Sequence, residues 1–140
     1  MQFYKTIRRA IVFLVVLSAC SNEAAQQSMQ TAEQTALEFT RVLIGKDYSK
    51  AYAMTSKQFQ STFAVSDMKE NVERMLPKEF GKIGEIDIVT TMHNWPDKQA
   101  NDLGWVYVSI GGDYWGEAVA TVITMEDGQA KIRLIEYGRP

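Results

Sequence analysis

The chain has 140 residues, with 15 basic and 17 acidic side chains and a single cysteine. This length suffices for one compact domain with its own hydrophobic core, without disulfides or a structural metal. The acidic balance argues against nucleic acid or anionic lipid headgroups as the main partner, because either would require a basic face.

Residues 1–19 have the layout of a secretory signal peptide. Three basic residues, Lys5, Arg8 and Arg9, precede an apolar run over residues 10–17, and small residues follow that run. The run is shorter than the roughly 20 apolar residues that a membrane-spanning helix needs, and no later stretch offers a second candidate. The pattern therefore predicts a removable signal and not a transmembrane anchor.

The tetrapeptide Leu17-Ser18-Ala19-Cys20 closes this run and resembles the bacterial lipobox. The resemblance implies that Cys20 receives a diacylglycerol thioether, becomes the mature N-terminus and is then N-acylated. The alternative is an ordinary signal peptide with an incidental cysteine at the cut, although no second cysteine exists to give Cys20 a disulfide role. In lipoproteins of this kind an Asp after the cysteine favours retention in the inner membrane. Ser21 stands there, so we expect a location on the periplasmic side of the outer membrane.

The mature chain is predicted to be more acidic than the full sequence and to begin with a flexible tether. Loss of the signal takes away three of the 15 basic side chains, leaving 12 against 17 acidic ones and a net charge of −5. Residues 20–30 contain the lipidated N-terminus and then Ser, Asn, Glu, Ala and Gln with almost nothing apolar, which predicts a flexible segment. Residues 31–140 are predicted to form a single α+β domain.

Three helices are predicted at the start of this domain. Thr31-x-x-Gln34 matches a capping box, which predicts a first helix from Thr31 that Gly45 ends. Asp47 is a suitable N-cap for a shorter second helix. Ser66 is a suitable N-cap for a third helix with one apolar face. The residues of that face are Met68, Val72, Met75 and Leu76.

Four strands are predicted in the remainder, because the hydrophobic period changes from 3.6 to 2 after Gly81. They span residues 83–92, 103–110, 115–125 and 129–137. In the first, Ile86, Ile88, Thr90 and Met92 are predicted to face the core. Hairpin turns are predicted between the last three strands, so these strands pair antiparallel. The predicted fold class is α+β, with the helices on one face of a curved, mainly antiparallel sheet of four or more strands.

The order of three helices and four long strands resembles the nuclear transport factor 2-like family, a cystatin-like cone of curved sheet closed by a long helix. Residues 43–52 are similar to the family's passage from the long helix through Gly-Asp-Tyr to a short helix, and residues 132–137 are similar to its closing strand. Lipid-anchored members of unknown function are common in bacteria, and this chain is similar to them. The resemblance covers residues 31–137 and implies a pocket at the wide end of the cone, which in some members is an active site.

An acid–base enzyme on this fold is one alternative, by analogy with ketosteroid isomerases, which use an acidic base and an oxyanion hole of Tyr and protonated Asp. The available side chains are Asp87, Tyr107, Tyr48, Tyr52 and His93. Asp87 is in phase with Glu85 on the predicted solvated face, where it acts as a surface charge. His93 has no partners at metal-ligand spacing, and no Gly-x-Ser-x-Gly motif is present. We predict no catalytic residue, metal or cofactor.

Aromatic residues are the most informative feature of the second half of the domain. Trp105 and Tyr107 share one face of a strand whose other face is also apolar, so both faces are expected to be covered. Either the loop 93–102 folds back with Trp95 over this second face, or an aromatic patch stays exposed as a contact site. The candidate contact residues are Trp95, Trp105, Tyr107, Tyr114 and Trp115, with Tyr48 and Tyr52 as a possible pocket lining.

The predicted function is that of a lipid-anchored envelope protein, a noncatalytic binding or accessory module for a protein partner or a small envelope component. One alternative is the acid–base pocket enzyme. Another is a periplasmic inhibitor or immunity protein, for which a small, acidic, anchored domain is suitable. Such a fold hosts many functions, but the absence of paired inward carboxylates favours the noncatalytic module.

Overall fold

A computed structural model describes the backbone of residues 3–79 and 81–139 and the side chains of residues 21–79 and 81–139. These residues form helices followed by strands, so the predicted α+β class is confirmed. The helices are α1 (Phe3–Ile44), α2 (Tyr48–Ala53), α3 (Lys57–Thr62) and α4 (Val65–Met75). The strands are β1 (Ile83–Met92), β2 (Asp102–Gly112), β3 (Gly116–Glu126) and β4 (Gln129–Tyr137).

The four strands form one antiparallel sheet in the order β1-β2-β3-β4, which confirms the predicted meander. The sheet is open and does not close on itself. The turn between β3 and β4 has positive φ angles at Asp127 (51°) and Gly128 (75°), the requirement of a two-residue hairpin that matches the twist of its strands. Asp-Gly is a preferred pair for that turn, so the chain reverses where its sequence predicts.

One face of the sheet packs against α1. Residues of α1 on a single helical face are fully buried against the inward residues of the central strands. The helix residues are Ala32, Ala36, Phe39 and Leu43. The helix approaches the sheet closely at Gly104 of β2, where a Cβ atom would lie 3.2 Å from the Cβ of Ala32. A glycine at this position therefore lets the long helix lie directly on the sheet.

The predicted start of the first helix at Thr31 is wrong, because α1 runs through this position. The Thr31 hydroxyl donates to the carbonyl oxygen of Gln27 at 2.9 Å, the bond of a residue inside a helix and not of an N-cap. The segment before it is rich in alanine and glutamine, which favour helix. Residues 21–27 are exposed, and the flexible tether at residues 20–30 stays a prediction.

The short helices follow local capping. The Asp47 carboxylate accepts the N–H of Lys50 at 3.1 Å and caps α2, as predicted. The third predicted helix, α4, begins at Val65, earlier than a cap at Ser66 would allow. The reason is that the Asp67 carboxylate accepts the N–H of Ala64 at 2.7 Å and satisfies the first turn. The helix α3 was not predicted, because it carries few apolar residues.

The predicted alternation of β1 holds only in its first half. Ile86 and Ile88 are half-buried, but the register with β2 shifts between Ile88 and Thr90. This bulge places Thr90 opposite Tyr107 and Met92 opposite Trp105, on the face away from the core, so the predicted core positions of Thr90 and Met92 are wrong. Thr91, between them, turns toward the helix instead, and its hydroxyl donates to the Glu33 carboxylate at 2.7 Å.

Candidate functional site

The sheet face opposite α1 carries a stacked aromatic pair. The rings of Trp105 and Tyr107 have centroids 5.9 Å apart and planes 18° apart, and both side chains are half-buried. Their neighbours Val106 and Val108 point the other way and are fully buried in the core beneath α1. The strand β2 is therefore apolar on both faces, as its sequence predicts. We call the face that carries Trp105 and Tyr107 the outer face.

Small side chains form the floor of the outer face. Ala120 pairs with Tyr107, and Val122 pairs with Trp105, in the register of β2 with β3. Both floor residues are buried, yet neither belongs to the core cluster beneath α1. The larger side chains around Ala120 and Val122 on the outer face therefore shield them from solvent. Leu134 of β4, which pairs with Val122 on the other side, is 39% exposed.

Two neighbouring depressions lie on this face, and together we call them the outer-face groove. The first, of about 370 Å³, is lined by Trp105, Tyr107, Ala120, Glu136, Tyr137, Gly138 and Arg139. The second, of about 340 Å³, is lined by Glu85, Asp87, Tyr107, Ser109, Ile110, Gly111, Gly116, Glu117, Ala118 and Arg139. Because Tyr107 and Arg139 line both depressions, the groove reaches from β1 across to β4.

Arg139 is held between the two depressions of the groove by hydrogen bonds to the backbone. Its Nε donates to the carbonyl oxygen of Gly116 at 2.7 Å, and a terminal guanidinium nitrogen donates to the same oxygen. Gly138, with φ of 88°, turns the chain so that its N–H donates to Ala118. The arginine thus follows β4 back over the outer face and forms the wall between the two depressions.

The loop of residues 93–101 is anchored at the other end of the sheet by an ion pair. The Arg133 guanidinium donates to both carboxylate oxygens of Asp102, at 2.8 and 2.6 Å, and to the carbonyl oxygen of Asp97 at 3.4 Å. The Asp102 side chain is fully buried and that of Arg133 is 10% exposed. Sequence reasoning missed this pair, because 31 positions separate its members and no local motif links them.

Trp95 belongs to this loop and not to the stacked pair. Its ring lies 5.6 Å from the Lys98 ammonium, and its indole N–H is buried without a hydrogen-bond partner among the described residues. Among the same residues, the ring that stacks on Trp105 is Tyr107. The Trp95 ring therefore contacts Lys98 of its own loop, and Trp95 lines neither depression of the outer-face groove.

Trp115 and Tyr114 also lie apart from the pair. Trp115 packs against the core cluster, and its indole covers Gly112 so closely that a Cβ atom there would overlap with it. Tyr114 is 100% exposed in the turn between β2 and β3. Of the five aromatic residues singled out from the sequence, the structure brings Trp105 and Tyr107 together in the groove.

Tyr48 and Tyr52 have different surroundings. The Tyr48 hydroxyl is buried without a partner among the described residues, and burial, with the nearby Glu73 charge, raises the pKa of this phenol. It lines a depression of about 280 Å³ beside Val72 and Leu76. The Tyr52 hydroxyl donates to the Phe63 carbonyl oxygen at 2.9 Å, so it joins α2 to the end of α3. The two tyrosines do not form one site.

Of the side chains considered for catalysis, Asp87 and Tyr107 line the same depression on the outer face, whereas Tyr48, Tyr52 and His93 do not line it. Asp87 is exposed on β1, as the predicted solvated face requires, and His93 is exposed at the start of its loop. The Tyr137 hydroxyl is buried, and this burial, with the Asp67 charge, raises the pKa of the phenol. Among the residues with described side chains, no three of His, Cys, Asp and Glu are grouped so that they could hold a metal ion.

Nothing in the described part of the chain provides a helix both long and apolar enough to cross a membrane. The side chains of the predicted signal peptide and of Cys20 lie outside the described residues. In comparisons with known proteins, neither a protein-family model nor a curated protein matches the chain.

Proposed function

We propose that the protein is a lipid-anchored, noncatalytic binding module of the bacterial envelope that contacts a protein partner through the outer-face groove. The observation that carries this proposal is the stacked, half-exposed pair of Trp105 and Tyr107 above a buried floor that is separate from the core. Exposed aromatic surface with small neighbours is typical of protein contact sites, where Trp and Tyr contribute most of the affinity.

The nuclear transport factor 2-like fold is part of the proposal. Its support is the long helix α1 across one face of a four-stranded antiparallel sheet, together with the turn from α1 into α2 at Gly45 to Asp47. Within this fold the outer-face groove is on the side away from the helices. The proposed contact is therefore independent of the interior of the sheet and needs no enclosed cavity.

Attachment to the membrane rests on the lipobox, and Cys20→Ser tests it. We expect this substitution to abolish metabolic labelling of the protein with fatty acid, because the thioether requires the cysteine sulfur. The matched control is Ser21→Asp, which should keep the label but move the protein from the outer to the inner membrane fraction. An unlabelled wild-type protein would contradict the lipid anchor.

Site-specific photo-cross-linking in intact cells tests the groove. A photoreactive phenylalanine analogue in place of Leu134, which is exposed on the outer face, should give a protein adduct of defined mass. The same analogue in place of Glu70 on α4 is the control and should give none. Trp105→Ala should lower the adduct yield about thirtyfold, since truncation of an aromatic hot spot costs about 2 kcal/mol of binding free energy.

Tyr114→Ala serves as the matched aromatic control, because Tyr114 is fully exposed but does not line the groove. It should leave the adduct from position 134 unchanged. Equal adducts from positions 134 and 70, or an adduct that Trp105→Ala does not reduce, would reject the groove as the contact site. The depression beside Tyr48 would then be the next surface to test.

A further inference from the structure

The groove differs from a purely apolar contact surface in its charge. Four carboxylates line its two depressions, and Arg139 is the basic residue among the lining side chains. The carboxylates belong to Glu85, Asp87, Glu117 and Glu136. Four carboxylates against the single positive charge of Arg139, which lines both depressions, leave the groove with an excess of negative charge beside the aromatic pair.

Among the described residues, none of these four carboxylates takes part in an ion pair. The ion pairs of the described residues involve other acidic residues, on the helices, at the β3–β4 turn and at Asp102. None of the four is a hydrogen-bond acceptor through its side chain in the described residues. Their negative charge therefore exceeds the positive charge of Arg139 beside them, and the excess is available to a partner.

We propose that the outer-face groove binds an extended protein segment in which arginine or lysine side chains stand beside apolar ones. This inference rests on the proposed function and specifies the chemistry of its partner. Two interactions stabilise a guanidinium or ammonium group in the groove. It pairs with the carboxylates, and it lies near the aromatic rings of Trp105 and Tyr107. The apolar residues of the segment pack against the rings of Trp105 and Tyr107, beside Ala120.

The shape of the groove favours a protein segment over a single small cation. Its two depressions adjoin at Tyr107 and Arg139 and extend from β1 to β4, so one bound amine would leave most of the surface open. An extended segment presents successive side chains and can fill both. An anionic lipid surface is disfavoured, because it would meet the carboxylates. A second copy of this chain is disfavoured too, since it would place the same four carboxylates against each other.

Peptide binding to the full-length mature protein in nonionic detergent tests the inference. The probes are three fluorescent peptides in which valine alternates with arginine, with glutamine or with glutamate, and the readout is fluorescence anisotropy. We expect the arginine peptide to bind more tightly than the glutamine peptide, and the glutamate peptide not to bind. The affinity for the arginine peptide should fall with added salt, because these charges are exposed to solvent.

Two double variants with the same net charge separate the groove from general attraction to an acidic protein. Glu85→Gln with Asp87→Asn removes two groove carboxylates and should weaken binding of the arginine peptide about tenfold at low salt. Glu70→Gln with Glu73→Gln removes two exposed carboxylates from α4 and should leave the affinity unchanged. Both variants retain the aromatic pair and the core.

Several results would overturn the inference. It fails if the glutamine or glutamate peptide binds as tightly as the arginine peptide, if the arginine peptide does not bind, or if the two double variants weaken its binding equally. It also fails if the wild-type protein forms a dimer that Trp105→Ala dissociates, because a second copy would then occupy the groove. Failure of the proposed groove contact would be recognised separately from failure of this inference, because cross-linking from position 134 does not depend on the charge of the partner.

Discussion

Asp102→Ala is expected to lower the free energy of unfolding by about 3–5 kcal/mol, because it leaves the Arg133 guanidinium buried without its partner. The carboxylate is fully buried, accepts two hydrogen bonds from Arg133 and a third from the N–H of Gln99 at 2.8 Å. Its removal therefore also releases the loop before β2. Equilibrium denaturation in urea measures the change.

The control for this prediction is Glu70→Ala. The Glu70 carboxylate accepts a hydrogen bond of 2.7 Å from Arg74, a distance similar to those of the buried pair, but both side chains are exposed. We expect a change below about 1 kcal/mol, because solvent screens an exposed pair. Asp102→Leu combined with Arg133→Met should recover much of the stability lost in Asp102→Ala, since it leaves no buried charge. A cost for Asp102→Ala no larger than that for Glu70→Ala would contradict the prediction.

Phe39→Ala is expected to cost about 3–5 kcal/mol, because this α1 side chain is fully buried in the core and its removal leaves a cavity. Trp105→Ala should cost much less, although tryptophan is larger, because Trp105 is only half-buried on the outer face, where it stacks on Tyr107. Both variants should still unfold cooperatively. Thermal and urea unfolding of the two proteins under one condition give the comparison.

Comparing the stability of Trp105→Ala with that of Phe39→Ala shows whether the outer face is a contact surface or a second hydrophobic core. If Trp105→Ala lowers stability as much as Phe39→Ala does, the outer face serves mainly to stabilise the fold. Loss of cross-linking in that variant would then reflect unfolding, and Tyr48→Ala would become the variant of choice for locating the partner. If Trp105→Ala costs little and still abolishes cross-linking, the aromatic pair contributes to binding.

Local signals predicted most of the secondary structure. The period of two over residues 83–92 and 129–137 predicted strands with the bounds that the structure shows, and Asp127-Gly128 predicted the hairpin between β3 and β4. Asp47 predicted the start of α2. These features depend on backbone preferences and on side chains within a few residues, so the sequence carries them directly.

Errors arose where a local signal competed with its surroundings. Thr31 has the chemistry of an N-cap, but a cap forms only where the preceding chain leaves the helix, and the alanine- and glutamine-rich segment before it continues the helix. The bulge after Ile88 moves Thr91 toward Glu33, and its position depends on how β1 pairs with β2. A pairing of this kind is not encoded in the strand's own pattern.

The sequence by itself determined the fold class, the antiparallel meander and the two apolar faces of β2, because each follows from hydrophobic period and turn chemistry. Only the tertiary structure decided which aromatic residues share a surface. Trp105 and Tyr107 stack on the outer face, Trp115 packs against the core cluster, and Trp95 contacts Lys98 of its own loop. It also decided that Asp102 meets Arg133 and that four carboxylates without an ion pair among the described residues line one groove. The physical reason is that such contacts join residues from separate strands, so their geometry exists only once the strands have taken their register.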